Sequence, residues 1–220
     1  ILNELFYGIG QMLINIVIGH QSESAIAAMA AFRVLEGFVF AFFGGLADAS
    51  SVVVGKGVGS GRLMNGYQYV KKFAILCPTI TFCICLTGLT LNRPMLSLFG
   101  LGADAMFYGK FMILIYLAAG TIRTCNYIMN SCYRAGGEAV FGTLLEIICL
   151  FTVSVPATWI AGMILNLPFL AVFAFIYTDE LIRLVFELWY TRSGKWIKPV
   201  TELGRAALPE FKETLSMKRS

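Results

Sequence analysis

Long apolar runs separated by short polar connections dominate the chain. A helix needs about 20 apolar residues to cross the hydrocarbon core of a bilayer, and most of the runs reach that length. They form six segments: Leu5–Gly19, Ala25–Val54, Phe73–Leu91, Phe111–Asn130, Ala139–Leu165 and Phe169–Tyr190. The pattern predicts an all-α integral membrane protein whose residues 1–196 form a bundle of six transmembrane helices. We expect residues 197–220 to form a polar cytoplasmic tail.

The composition also indicates a membrane protein. Of 220 residues, 58% are hydrophobic and only 14% are charged, with a mean hydropathy of +0.75. Soluble domains are nearer 25% charged. The basic residues lie between and after the apolar runs rather than in one patch, so we expect no nucleic-acid partner. The chain opens inside an apolar run without a Met, and we expect it to be the carboxy-terminal part of a longer protein.

The Lys and Arg residues are unequally divided between the connections. Twelve of the 17 lie between segments two and three, between segments four and five, or after segment six. The positive-inside rule makes that side cytoplasmic. We therefore expect a multi-pass protein of the cell inner (plasma) membrane with both ends of this chain in the cytoplasm. Trp189 and Trp196 lie where aromatic side chains anchor a helix at the membrane interface.

The ionisable residues inside the apolar segments are the first candidates for function. Such groups are costly in a membrane, and they usually pair with one another or mark a path for ions or substrates. Nine of them stand out: Glu4, Arg33, Glu36, Asp48, Arg123, Glu146, Asp179, Glu180 and Arg183. Two pairs spaced i, i+3, Arg33 with Glu36 and Glu180 with Arg183, can form ion pairs on one helix face.

Position along the helices predicts a further contact. Counted from the ends of their segments, Glu4, Asp48 and Arg123 all fall in the cytoplasmic half of the bundle. We expect Arg123 to form an ion pair with Asp48 or with Glu4.

Segment one has a polar face. Glu4, Gln11 and Asn15 follow one another at spacings of seven and four residues, which places them on one side of a helix. Further polar groups in segments one and four are Asn3, Asn126 and Tyr127. Two interpretations remain open: these side chains line a cavity that carries ions or substrate, or they bond neighbouring helices.

Five short motifs occur in a recognisable order. They are Asn3-Glu4, the Ala-rich run at 25–31, the stretch at 52–62 with Val-Val-Val-Gly and Gly-Ser-Gly-Arg, Cys132-Tyr133-Arg134-Ala135-Gly136-Gly137-Glu138, and Arg192-Ser193-Gly194-Lys195-Trp196. Their order and spacing resemble the second half of the multidrug and toxic compound extrusion (MATE) transporters. The resemblance implies the carboxy-terminal lobe of a twelve-helix, two-lobe antiporter. It implies export of small organic cations or amphipathic compounds, driven by entry of H⁺ or Na⁺ and without a cofactor.

The resemblance also implies roles for individual residues. Glu4 matches the acid on the seventh helix of the family, which belongs to the cation site of this lobe. Arg123 lies eleven residues before Arg134, where some Na⁺-coupled members carry an Asp. A guanidinium group is a donor only and cannot bind Na⁺. Three possibilities follow: Asp48 supplies the second carboxylate, Glu4 works by protonation, or coupling resides in the amino-terminal lobe.

Two alternative functions compete with antiport. A lipid-linked oligosaccharide flippase of the same superfamily would need a positively charged cavity, whereas the acids in the apolar segments outnumber the bases. A non-transport membrane assembly subunit is the second. No metal-binding or nucleophile motif is present, so we expect no enzyme activity. The expected partners are the small-molecule substrate, the lipid bilayer and the amino-terminal lobe of the same polypeptide.

Overall fold

The computed structural model describes residues 2–217, and of residues 2–4 it describes the backbone alone. Every regular element in that range is helical. The helices are α1 (Leu2–Gly19), α2 (Glu23–Gly59), α3 (Leu63–Thr90), α4 (Asn92–Ser97), α5 (Ala103–Ala135), α6 (Val140–Ile164), α7 (Phe169–Phe175), α8 (Thr178–Ser193) and α9 (Glu202–Met217). Two π-helical turns, Leu150–Ser154 and Ile160–Ile164, interrupt α6 on either side of Pro156, which cannot donate a backbone hydrogen bond.

The expected all-α membrane architecture is confirmed. Four helices, α2, α3, α5 and α6, are long and apolar enough to cross a membrane. The predicted first segment is the shorter apolar helix α1. The predicted sixth segment is not one continuous helix but the pair α7 and α8, which meet at Ile176 and Tyr177. A new helix begins there because Asp179 and Glu180 lie in its first turn, where the helix dipole favours negative charge.

Two apolar cores divide the bundle along its length. One contains the ring of Phe32, which makes edge contacts with Tyr116 and Phe173 at centroid distances of 5.3 and 5.1 Å. The other surrounds Tyr133 and extends toward the turn between α2 and α3. Along α5, residues up to 119 belong to the first core and residues from 125 to the second. Arg123 lies between the two groups of residues on this helix.

The segment after α8 folds back onto the bundle. Helix α9 packs against α3 and α2, burying Phe211 and Leu215. Trp196 is completely buried, so the prediction that it anchors the chain at the membrane interface is wrong. The indole lies so close to Gly136 that a Cβ atom there would overlap it, and the missing side chain of Gly136 leaves the space that it fills. Trp189 remains exposed, as an interfacial anchor requires.

Candidate functional site

Glu36 on α2 lies at the centre of the site. It is only 7% exposed, and its carboxylate accepts three hydrogen bonds from three parts of the fold. Arg123 Nη1 on α5 donates to Oε1 at 2.7 Å, Tyr177 Oη between α7 and α8 donates to the same oxygen at 3.0 Å, and Arg33 Nη1 donates to Oε2 at 3.4 Å. Two guanidinium groups and a phenol thus compensate the burial of this negative charge.

Arg123 connects α5 to three other elements. Besides Glu36, its Nη2 donates to Tyr7 Oη on α1 at 2.9 Å, and its Nε lies 3.7 Å from Glu180 Oε1 on α8. The expected pairing with Asp48 is wrong. Asp48 is exposed and follows Glu36 by twelve residues on α2, a separation of about 18 Å at 1.5 Å per residue. The Glu4 side chain lies outside the described residues, so its pairing with Arg123 stays a prediction.

Arg183 on α8 is shared by three carboxyl groups. Its Nη1 lies 3.6 Å from both Glu146 Oε1 and Glu180 Oε2, and its Nη2 lies 3.7 Å from Glu187 Oε1. The two pairs predicted from i, i+3 spacing, Arg33 with Glu36 and Glu180 with Arg183, are therefore confirmed. We call the ion-paired set the central charge cluster: Arg33, Glu36, Arg123, Glu146, Glu180, Arg183 and Glu187.

The polar face predicted for α1 meets this cluster. Gln11 Oε1 and Asn15 Oδ1 both accept from Arg33 Nη2, at 3.2 and 3.4 Å. Gln11 also borders a polar cavity of about 40 Å³ beside Arg123. The two interpretations are thus compatible, because these residues bond a neighbouring helix and Gln11 also lines a cavity. The Asn3 side chain lies outside the described residues.

The two polar residues predicted on α5 have different contacts. Asn126 is completely buried, and its Nδ2 donates to the backbone carbonyl and to Oε2 of Glu180, at 2.9 and 2.8 Å. Tyr127 packs its ring against Phe40 and Phe43, each at a centroid distance of 5.5 Å. Asn126 therefore holds α8 against α5, and Tyr127 forms part of an aromatic wall.

Two adjoining cavities share Glu36. The polar one has a volume of about 390 Å³, and its walls include most of the central charge cluster together with Phe40, Tyr127, Asn130 and Arg134. The other, of about 300 Å³, is mainly apolar and is lined by aromatic residues such as Phe32, Phe38 and Phe42. Small-molecule sites commonly combine an apolar body of this size with a few polar groups. The arrangement can hold an amphipathic molecule next to a carboxylate.

The residues that sequence reasoning missed are Tyr7, Tyr177 and Glu187. The two tyrosines belong to the apolar pattern and carry no charge that would distinguish them. Glu187 follows Arg183 by four residues, a spacing at which side chains meet on a helix. That spacing could have identified it.

Comparison with known proteins identifies the family of the chain. The sequence model of the family described as MatE matches residues 1–160. The chain belongs to the MATE family. This MATE lobe is 19% identical over 197 residues to the uncharacterized transporter YisQ of Bacillus subtilis (strain 168), covering 89% of the lobe and 43% of YisQ.

Solved structures show the same fold. The lobe matches a MATE crystal structure in complex with MaD3S at a TM-score of 0.81 and 14% identity, covering 90% of the lobe and 45% of that chain. It matches an outward-facing multidrug resistance MATE transporter of the MOP superfamily at a TM-score of 0.78 and 15% identity, covering 98% of the lobe and 51% of that chain. It matches the MATE transporter ClbM in complex with Rb⁺ at a TM-score of 0.74 and 20% identity, covering 95% of the lobe and 47% of that chain.

The MATE lobe thus spans about half the length of each relative. Its fold is that of one lobe of a larger membrane transporter.

Proposed function

We propose that the lobe belongs to a secondary antiporter that exports small organic cations or amphipathic compounds in exchange for H⁺ or Na⁺. The observation that carries the proposal is the buried carboxylate of Glu36, which adjoins both a polar and an apolar cavity. A transported compound could place its charged group in the polar cavity and its apolar body in the apolar cavity, both beside Glu36. Membership of the MATE family supports transport as the activity.

The walls of the two cavities favour a cationic or amphipathic substrate. Phe40 and Tyr127 face the polar cavity, and aromatic faces attract organic cations. The guanidinium carbon of Arg123 already lies 5.7 Å from the ring centroid of Phe40. A cation entering the cavity would therefore meet both a ring and a carboxylate.

The charge balance of the cluster supports coupling to a cation or a proton. The central charge cluster contains four carboxyl groups and three guanidinium groups. One carboxyl group is left over, and in a medium of low dielectric an unbalanced negative charge attracts a cation or a proton. Glu4, one helical turn before Tyr7 on α1, remains our proposed coupling residue in this lobe. Glu36 takes the place beside Arg123 that we expected for Asp48.

Transport by the full-length protein in proteoliposomes tests the proposal. Tetraphenylphosphonium, a permanent organic cation, serves as the substrate, and a pH gradient and a Na⁺ gradient are imposed separately. We expect one gradient to drive transport, and Glu36→Gln to lower the rate about tenfold, equivalent to about 1.4 kcal/mol. Glu23→Gln, at the exposed start of α2, is the matched control and should leave the rate unchanged.

Two results would contradict parts of the proposal. Transport that responds to neither gradient would exclude antiport. An unchanged rate in Glu4→Gln, with the response to both gradients retained, would remove Glu4 from the coupling site.

The proposed orientation has both ends of the chain in the cytoplasm and the protein in the plasma membrane. Its support is the distribution of Lys and Arg over the connections. A cysteine introduced at Ser193 should react with a membrane-impermeant maleimide only in inverted vesicles. Labelling in right-side-out cells would reverse the orientation.

A further inference from the structure

Glu187 is the most enclosed charged residue in the described part of the chain. It is 0% exposed, and neither carboxyl oxygen has a hydrogen-bond partner among the described residues. Arg183 Nη2 approaches Oε1 only to 3.7 Å, beyond hydrogen-bond distance. An ionised carboxylate buried in this way loses its hydration without gaining hydrogen bonds, which is strongly unfavourable.

The facing helix α5 contributes two more oxygens in the same condition. Asn126 Oδ1 and Asn130 Oδ1 are buried and also have no hydrogen-bond partner within the described range. The amide of Asn126 is held by Glu180 through its Nδ2, which identifies Oδ1 as the oxygen left over. Asn126 Oδ1 belongs to the interface of α5 and α8, whereas the amide of Asn130 lies against Gly142 on α6, so close that a Cβ atom there would overlap it.

Two contacts fix the register of α5 and α8. Asn126 contacts Glu180, and Tyr133 Oη donates to the backbone carbonyl of Glu187 at 2.8 Å. Asn126 and Tyr133 are seven positions apart on α5, and Glu180 and Glu187 are seven positions apart on α8. The two helices therefore run in the same direction, in a constant register. Asn130 lies between the two contacts. Because helical side chains lean toward the amino terminus, we expect the carboxyl group of Glu187 to lie nearer the level of Arg183 than that of its own Cα atom, in line with their ion pair.

The ionised form of Glu187 therefore has little to stabilise it. Both of its carboxyl oxygens are buried acceptors without a hydrogen-bond partner among the described residues. A proton on Glu187 would remove its charge and turn one of these oxygens into a donor. The same proton would balance the four carboxyl and three guanidinium groups of the central charge cluster.

The charged and titratable groups around Glu187 include a single cation. They are Arg183 and Glu180 on α8, Glu146 and Cys149 on α6, and Cys125 and Tyr133 on α5. Arg183 is the one cation among them, and it is shared with Glu146 and Glu180. Glu146 and Glu180 border the polar cavity, whereas Glu187 does not.

We propose that Glu187 is a proton-binding site of the transport cycle, an inference that rests on the proposed antiport. A cationic substrate in the polar cavity pairs with Glu146 or Glu180 and releases Arg183 toward Glu187. The movement of Arg183, which borders the polar cavity, admits water from that cavity to Glu187. The O–H bond of Glu187 then breaks, its proton passes to this water, and the carboxylate pairs with Arg183. The substrate and the proton therefore bind to different carboxyl groups, the substrate to Glu146 or Glu180 and the proton to Glu187.

Proton release on substrate binding tests the inference. Purified full-length transporter in weakly buffered detergent solution, with a pH indicator, is titrated with tetraphenylphosphonium, which has no proton of its own. We expect about one proton released per bound cation in the wild type. Glu187→Gln should bind the cation and release none. Glu213→Gln, exposed on α9, is the control and should behave as the wild type.

The outcomes separate this inference from the proposed function. Proton release that persists in Glu187→Gln would overturn the role of Glu187 while leaving antiport intact. Transport driven by Na⁺ alone, without proton release, would also overturn it and leave antiport intact. Transport that responds to neither gradient would overturn antiport itself. If Glu187→Gln does not fold, infrared spectra of the wild type at neutral pH decide, because the absence of a protonated carboxyl band would overturn the inference.

Discussion

Glu138 and Glu187 are both buried carboxyl groups, but their surroundings are opposite. Glu138, in the turn between α5 and α6, accepts from the backbone N–H groups of Val140 and Phe141 at 3.0 and 3.2 Å. Tyr190 Oη donates to it at 3.2 Å, and the ammonium group of Lys198 pairs with the same oxygen. Glu187, in contrast, accepts no hydrogen bond from the residues that the structure describes.

This difference separates a carboxylate with a structural role from one suited to gain and lose a proton. Burial opposes ionisation of Glu138, but Lys198 and the two backbone N–H groups outweigh it and lower the pKa of that carboxyl group to about 2. Glu138 is therefore ionised throughout the physiological range and holds one geometry. Glu187 shares its nearby cation, Arg183, with Glu146 and Glu180, so its ionised form lacks the support that Glu138 has.

The surroundings of Glu138 also join the end of the chain to the bundle. We call these residues the Glu138 node: Gly136, Glu138, Tyr190, Trp196 and Lys198. The backbone N–H of Lys198 donates to the carbonyl of Gly136 at 2.8 Å, and the indole N–H of Trp196 donates to the carbonyl of Thr191 at 3.3 Å. The comparison predicts that changes in the node lower stability, whereas changes in the cluster alter transport.

The largest expected effect follows from removing Trp196. Truncating a fully buried Trp leaves a cavity and costs about 3–5 kcal/mol in the free energy of unfolding. Trp196→Ala should therefore greatly lower the midpoint of thermal unfolding in detergent, and molecules that remain folded should keep their transport activity.

Trp189→Ala is the matched control, because that side chain is 60% exposed. It should change the free energy of unfolding by less than about 0.5 kcal/mol. Equal losses from the two substitutions would contradict the assignment of Trp196 to the interior.

The next effect concerns Glu138. Glu138→Ala removes a carboxylate that several donors share, and we expect a loss of about 2–3 kcal/mol in the free energy of unfolding. Glu213→Ala, on the exposed face of α9, is the control and should cost little. A loss of the same size in both variants would contradict the role of the node.

The pH dependence of stability gives a second test of Glu138. Its folded-state pKa of about 2 lies below the ordinary value of 4.5, so the ionised form stabilises the fold. That contribution is fully present above about pH 4.5 and is lost as the pH falls toward 2. The unfolding midpoint should therefore fall over this window in the wild type and fall less in Glu138→Gln.

Much of the fold could be predicted because its causes are local. The length of an apolar run decides whether a helix spans a membrane, and the spacing of two charges on one helix decides whether they meet. The pairs of Arg33 with Glu36 and of Glu180 with Arg183 were predictable for that reason. The polar face shared by Gln11 and Asn15 was predictable from the same spacing rule.

Contacts between helices could not be predicted in the same way. Whether Arg123 meets Glu36 or Asp48 depends on how far each helix is shifted and tilted, and α2 is 37 residues long. The burial of Trp196 depends on the absence of a side chain at Gly136, sixty positions earlier in the chain. Such relations appear only when the helices are packed together.

The smallest expected effect concerns Tyr177, whose phenol joins Glu36 to the break between α7 and α8. Tyr177→Phe keeps the ring and removes one hydrogen bond, which within membrane proteins is worth about 0.6 kcal/mol. We expect transport of tetraphenylphosphonium to change about threefold, in line with that energy. Tyr108→Phe is the control, since its ring packs on Phe169 at 5.2 Å, away from the cluster. A threefold change that appears equally in both variants would show that the hydrogen bond to Glu36 does not influence transport. A change in Tyr177→Phe alone, with an unchanged unfolding midpoint, would place the α7–α8 break among the parts that respond to the charge of the cluster.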